Sequence, residues 1–292
     1  MTIPIDIIVY SIALAGIYAL IAIGLNVIFG VMNVLNVAHG DFLMLGAYVA
    51  YWLFNLAGLN PFVSMLIVFL VFLFMGLIIY KFAVNKLVAK SVSASRLTNS
   101  SLLLFFGVSM AIQSLALTLW KPQYRSILYM TDTVTFFGCS ISIIRLMVLT
   151  IALISIVFLS IFLKKTFLGT AIRAVSQDKE AAALMGIDVN KINAFAFGLG
   201  VACAGLGGTL ICMIYVINPT IGLEWTIKSL CIIVLGGLGS FGGSLAGALF
   251  LAFAESFGSL VISGGWRNLI SYAILIFIIL LRPTGIMGKR SG

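Results

Sequence analysis

The chain is 292 residues long, 62% hydrophobic and only 9% charged, with 17 Lys and Arg against 8 Asp and Glu. A soluble domain is roughly a quarter charged, so this composition excludes a water-soluble fold and points to a polytopic α-helical membrane protein. The net charge of +9 requires no nucleic acid, because orientation in a membrane accounts for it.

A bilayer core of roughly 30 Å needs about 20 mostly apolar residues per helix, with every backbone polar group paired inside it. That rule predicts spans near residues 7–29, 37–56, 61–80, 99–119, 145–163, 192–216, 241–262 and 267–281. A ninth stretch, 226–239, is apolar but short and ends in glycines, so it crosses only as a broken helix. The expected fold is therefore all-α, one membrane domain over 1–292 with eight to nine transmembrane helices, some discontinuous.

The N-terminus carries Asp6 and no Lys or Arg before an apolar run longer than a signal-peptide core, which reads as a retained span. Residues 24–41, GLNVIFGVMNVLNVAHGD, then interrupt the apolar pattern and set Asn26, Asn33, Asn36, His39 and Asp41 among glycines. Asp41 stands where a helix begins. It either caps that helix and complements its dipole, or serves function as an ionisable group near the membrane interior, as do His39 and Glu255.

Basic residues gather at Lys81, Lys86, Lys90 and Arg96, at Lys164, Lys165, Arg173, Lys179 and Lys191, and at Arg282, Lys289 and Arg290. The positive-inside rule places these segments in the cytoplasm and the N-terminus outside. Residues 164–191 are organised as well as basic. Ser176 and Asp178 are N-cap candidates, Lys179 to Met185 favours helix, and Gly186 suits a left-handed C-terminal position. Ala181, Leu184 and Met185 share one face. Two helical turns are unstable alone in water, so this helix packs on its own membrane domain or on a cytoplasmic partner.

Small residues recur every fourth position in the sixth span, at Ala196, Gly200, Ala204, Gly208 and Cys212, and in the seventh, at Ser240, Ser244, Ala248, Ala252 and Ser256. Such ladders let helix backbones approach closely; otherwise they line a path whose width changes. Between them, residues 218–243 form a second interrupted segment containing Asn218, Gly236, Gly237 and Gly239. Interrupted segments in the two halves of a transporter mark discontinuous helices along a substrate route, although tight surface loops give the same pattern. The four cysteines lack CxxC spacing and there is one His, so neither a disulfide nor a metal site is expected.

These residues carry a resemblance. GIYALIAIGLNVIFGVMNVLNVAHGDFLMLGAYVA, the 164–191 segment with Gly169, Arg173, Ala174, Asp178 and Gly186-Ile187, INPTIG at 217–222, LGGLGSFGGSLAG at 235–247 and RPTGIMG at 282–288 resemble the LivH type of branched-chain amino acid ABC transporter permease. Val37, where an aromatic residue is expected, and Phe241, where an aliphatic one is, depart from the pattern. Related permeases move urea, short amides or other small amino acids, so the cargo stays open.

The resemblance implies a multi-pass subunit of an ATP-driven importer in a bacterial inner membrane. A second homologous permease, two cytoplasmic ATPases and an extracytoplasmic substrate-binding protein would complete it. It makes Gly169, Arg173, Asp178 and Gly186 part of an ATPase-docking loop, to which the shared face of Ala181, Leu184 and Met185 adds the candidate contact. The interrupted segments offer Asn26, Asn33, Asn36, His39, Asp41, Asn218, Gly236, Gly237 and Gly239 as the candidate translocation path, and the ladders offer Gly200, Ala204, Gly208, Ser244 and Ala248 for helix packing. The chain has no GxxxxGK[ST] loop, so no cofactor is expected and ATP is used by the partners. The rival reading is an ion-coupled secondary transporter using His39, Asp41 and Glu255. A membrane-embedded enzyme lacks paired catalytic carboxylates, HExxH or GxSxG.

Overall fold

The structure, a computed structural model, describes residues 5–90, 93–136, 139–261, 266–281 and 285–287. Its helices are α1 (Ile5–Met32), α2 (His39–Ala57), α3 (Pro61–Ile79), α4 (Asn85–Lys90), α5 (Ala94–Trp120), α6 (Ile143–Lys165), α7 (Phe167–Gln177), α8 (Lys179–Leu184), α9 (Val189–Ile214), α10 (Gly222–Gly236), α11 (Phe241–Val261) and α12 (Arg267–Leu281). Among the described residues six helical stretches are long and apolar enough to cross a membrane: α1, α3 with its continuation into α4, α5, α6, α9 and α11. The protein is an all-α polytopic membrane protein. The interrupted helices α2 and α10 fall outside that set, and α12 is apolar but shorter.

Local chemistry explains the boundaries. Asn60 accepts the Phe62 N–H at the start of α3, where Pro61 has no N–H to leave unpaired. Ser93 caps α5 through the Arg96 N–H. Gly58 ends α2 at φ +61, a left-handed conformation that costs glycine nothing.

Two features depart from expectation. The third span does not stop at residue 80: with no Gly or Pro after Gly76, the helix continues through a π-helical turn at Tyr80–Val84 to Lys90. Tyr80 anchors that turn, donating to Asn190 Oδ1 at 2.7 Å. In the connection before α6, an antiparallel hairpin forms between β1 (Thr133–Phe136) and β2 (Cys139–Ser142), with Thr133 opposite Ser142. The C-terminal RPTGIMG motif lies outside the described residues except for 285–287, as do Arg282, Lys289 and Arg290.

α1 and α9 form the centre, buried on nearly every side, with α2, α3, α6, α10 and α11 around them and α12 resting on α10 and α11. Glycines permit the tightest crossings. A Cβ on Gly200 would meet the Gly24 carbonyl and Ile28 of α1 at 2.5 Å, and one on Gly208 would overlap the Leu43 carbonyl of α2. Ala196, Ala204 and Cys212 are buried on the same helix. On α11, Ser244, Ala248, Ala252 and Ser256 are buried. α5 is the exception: it touches the bundle lightly, and a Cβ on its Gly107 would meet nothing within 4 Å.

Candidate translocation site

The first interruption folds back into the bundle. α1 ends at Met32, Asn33 takes a left-handed φ of 58, and residues 33–36 are non-helical. α5 holds this stretch, with Thr98 donating to the Asn33 carbonyl at 2.9 Å and the Leu35 N–H donating to Ser101 at 3.0 Å. His39 Nε2 then lies 3.0 Å from the Ile21 carbonyl. Ile21 is eleven residues back along α1, about 16 Å at the helical rise. α2 therefore starts deep inside the bundle. Because a carbonyl only accepts, Nε2 carries the proton and Nδ1 presents its lone pair.

The second interruption meets the first. Gly40 N–H donates to Thr226 Oγ1 at 2.8 Å, and that hydroxyl donates to the Val37 carbonyl at 2.8 Å. A Cβ on Gly40 would overlap the Gly222 carbonyl, and one on Gly222 would overlap the Asp41 carboxylate. The N-terminal ends of α2 and α10 thus pack directly together. Asp41 does not cap α2: Ala38 is the N-cap without a side-chain bond, and Asp41 Oδ1 instead accepts from Gln113 Nε2 of α5 at 3.0 Å. Asp41 still lies in the first turn, where a negative charge complements the helix dipole. Asn36, His39 and Asp41 are completely buried, yet among the described residues Asn36 Nδ2 and Oδ1, His39 Nδ1 and Asp41 Oδ2 find no hydrogen-bond partner. Asn218 stays apart, accepting from the N–H and hydroxyl of Thr220 in its own turn.

At the opposite end of α10, Asn26 joins α1 to the glycine turn. Its Nδ2 donates to the Ser240 carbonyl at 2.8 Å and to Ser244 Oγ at 2.7 Å, and its Oδ1 accepts the Gly239 N–H at 2.6 Å. Gly237 and Gly239 adopt φ of 103 and 81, which this turn requires. Ile286 and Met287 donate their N–H groups to the Leu235 and Gly236 carbonyls. A cavity of about 800 Å³ opens beside the turn, lined by Phe29, Asn33, Arg173, Gln177, Ser240 and Met287 among others.

The sequence reading missed Lys228 and Glu224. Lys228 is 4% exposed on α10; its Nζ lies 2.9 Å from Glu224 Oε1 on the same helix and 3.8 Å from Glu255 Oε1. Glu255 also accepts from Tyr18 at 2.6 Å and from Ser271. The signal was present as Glu and Lys four residues apart, a spacing that pairs charges on one helix. Gln113 and Thr226 were missed too; single polar residues in an apolar span have no periodicity to announce them.

The 164–191 segment packs inward through α7, which buries Gly169, Ala171, Ile172 and Val175. Thr166 caps α7 by accepting the Gly169 N–H, and Asp178 Oδ1 caps α8 by accepting from Glu180 and Ala181. Ser176 caps nothing; it donates to the Arg173 carbonyl. Gly186 ends the turn after α8 at φ 82. In α8 only Ala182 faces inward, while Ala181, Leu184 at 89% and Met185 at 83% are exposed. Arg173 donates to the Lys164 carbonyl and Thr170. Burial pushes the Lys179 ammonium below its ordinary pKa, whereas the Lys191 N–H and ammonium hold Asp188 below the usual carboxylate range.

Residues 7–279 match the family described as branched-chain amino acid transport system / permease component. The chain belongs to that family. It is 31% identical to the high-affinity branched-chain amino acid transport system permease protein LivH of Salmonella typhimurium, over 96% of this chain and 94% of that one. It is 30% identical to the corresponding permease protein BraD of Pseudomonas aeruginosa, over 93% and 92%. Among solved structures, PsaBC from Streptococcus pneumoniae in complex with Fab shares the fold, with a TM-score of 0.52 and 12% identity over 94% of this chain and 91% of that one. As a member of the family the chain is a non-catalytic, multi-pass permease component working within a transport system of several subunits.

Proposed function

We propose that residues 1–292 act as one permease domain of an importer in a bacterial inner membrane. It passes branched-chain amino acids inward together with a second homologous permease, two cytoplasmic ATPases and an extracytoplasmic binding protein. In this reading α2 and α10 are the discontinuous members of a set of eight or nine crossings, and the route runs past their joined N-terminal ends to the glycine turn. One observation carries it: Asn36, His39 and Asp41 are buried without enough partners where the two interrupted helices meet. Buried polar atoms are costly to leave unpaired, and discontinuous helices in transporters expose such groups to cargo. Energy enters through partners at α8, whose outward Ala181, Leu184 and Met185 suit a groove on an ATPase.

The test is leucine uptake by the full complex reconstituted in vesicles with ATP inside and loaded binding protein outside. Uptake should require ATP and survive collapse of the proton and sodium gradients, and Asp41→Asn should slow it at least fivefold. Gradient-driven uptake without ATP would make the chain a secondary transporter. Normal uptake by Asp41→Asn would place the route elsewhere.

A further inference from the structure

We infer that Tyr48, Trp52 and Arg125 form a recognition station for the carboxylate of the incoming amino acid, at the end of the α2–α5 seam opposite the cytoplasm. The inference rests on the functional reading above and names the group by which cargo is first held.

Tyr48 and Trp52 lie one turn apart on α2, and Trp120, at the end of α5, stacks on Tyr48 with ring centroids 4.1 Å apart and planes 6° from parallel. The Arg125 guanidinium lies 4.7 Å from the Trp52 ring and 5.3 Å from Tyr51. Its position is set by backbone: Arg125 and Ile217 exchange N–H to carbonyl bonds of 2.9 and 2.7 Å, and Ile127 donates to Cys212. The loop after α5 is thereby tied to the end of α9 and the start of the second interrupted segment. Arg125 Nη2 reaches only the neutral Gln123, and no described acidic side chain forms a salt bridge with Arg125.

Three buried polar atoms in this cluster have no hydrogen-bond partner among the described residues: Tyr48 Oη, Trp52 Nε1 and Arg125 Nε. Tyr48 is completely buried. All three are hydrogen-bond donors, two of them able to do nothing else, and they belong with a guanidinium that has no carboxylate partner among the described residues. Their complement is a planar anion with two oxygens, for which arginine is the residue of choice. The flanking rings supply an apolar wall suited to a branched side chain.

The same seam continues inward. Asp41 and Tyr48 are seven residues apart, two turns on one face of α2 and about 10 Å along it. Asp41 Oδ2 is the idle acceptor there, and Gln113 faces it from α5 as Trp120 faces Tyr48. Donors at the outer end and a carboxylate about 10 Å deeper are too far apart to hold both charges of one amino-acid zwitterion at once, so cargo would meet them in succession. α5, the least buried of the long helices, is the wall that can part to admit it.

The test compares leucine, N-acetylleucine and leucinol by saturation-transfer NMR on the purified complex, alongside ATP-driven leucine uptake by the same preparation. Leucine and N-acetylleucine, which keep the carboxylate, should receive saturation at least threefold more strongly than leucinol, which lacks it. Arg125→Lys, which keeps charge but loses Nε, and Tyr48→Phe, which keeps the stacked ring, should erase that preference in complexes that still assemble. Equal signals from the three compounds, no signal from any, or an intact preference in both variants would overturn the inference; water alone would then satisfy the donors. If uptake persists while the preference is absent, only this inference fails. If the wild-type complex shows no ATP-driven uptake, the functional reading fails instead.

Discussion

Lys228 bears most directly on stability, because two carboxylates converge on one ammonium inside an apolar bundle. Glu255 is fully buried on α11 and receives hydrogen bonds from Tyr18 of α1 and Ser271 of α12, while Lys228 approaches it from α10. Four helices therefore meet at one charge. The Trp225 and Tyr18 rings, 5.2 and 5.8 Å from Nζ, shield the ammonium further. Breaking a buried pair by removing one partner strands the other, a loss of roughly 3–5 kcal/mol. Lys228→Met should lower the unfolding temperature of the purified permease and its membrane yield, and adding Glu255→Gln should recover most of the loss. A single variant that melts with wild type would show that the hydroxyls alone hold Glu255. Asn26 is a smaller case: Asn26→Leu removes the three bonds that tie Gly239, Ser240 and Ser244 to α1 and should cost about 1–3 kcal/mol, read by the same melting assay.

Among the elements, α2 and α10 are defined by how closely they touch. Gly40→Ala adds one methyl group where the Gly222 carbonyl already stands, and should cost on the order of 1–3 kcal/mol by forcing the two helix starts apart. Gly107→Ala on α5 meets nothing and should leave melting unchanged in the isolated permease. Matched melting of these two alanine variants would mean the α2–α10 contact yields freely. Length and apolarity made the long helices legible, because a span must be about 20 residues whatever its neighbours are. The fold-back after Asn33 was legible only as a break, since its direction is set by Thr98 and Ser101 on α5, more than sixty residues away. The pairing of Lys228 with Glu224 was legible in the four-residue spacing, whereas its second partner, Glu255, lies on another helix. The π-helical turn goes with a tertiary contact, Tyr80 with Asn190, that no local pattern contains.

At the scale of the whole molecule, orientation and coupling are one question, because α8 can meet an ATPase only if it faces the cytoplasm. Nine of the seventeen Lys and Arg lie in 81–98 and 164–191, and the positive-inside rule puts both segments on that side. The helices agree in direction: α4 runs down to Lys90 and α5 returns from Ala94, while α6 ends at Lys165 and α9 returns from Val189. Both basic segments therefore share one end of the bundle. Ser93→Cys and Lys179→Cys should resist a membrane-impermeant thiol reagent in intact cells and react once the membrane is opened. Labelling from outside would invert the topology and remove α8 from any ATPase. With orientation established, Leu184→Asp tests coupling: it puts a charge into the face left bare at 89% exposure, where the cost arises only in a desolvated contact. The permease should insert and melt as wild type while ATPase co-purification and leucine uptake each fall at least tenfold. Normal co-purification with normal uptake would reduce α8 to a surface turn.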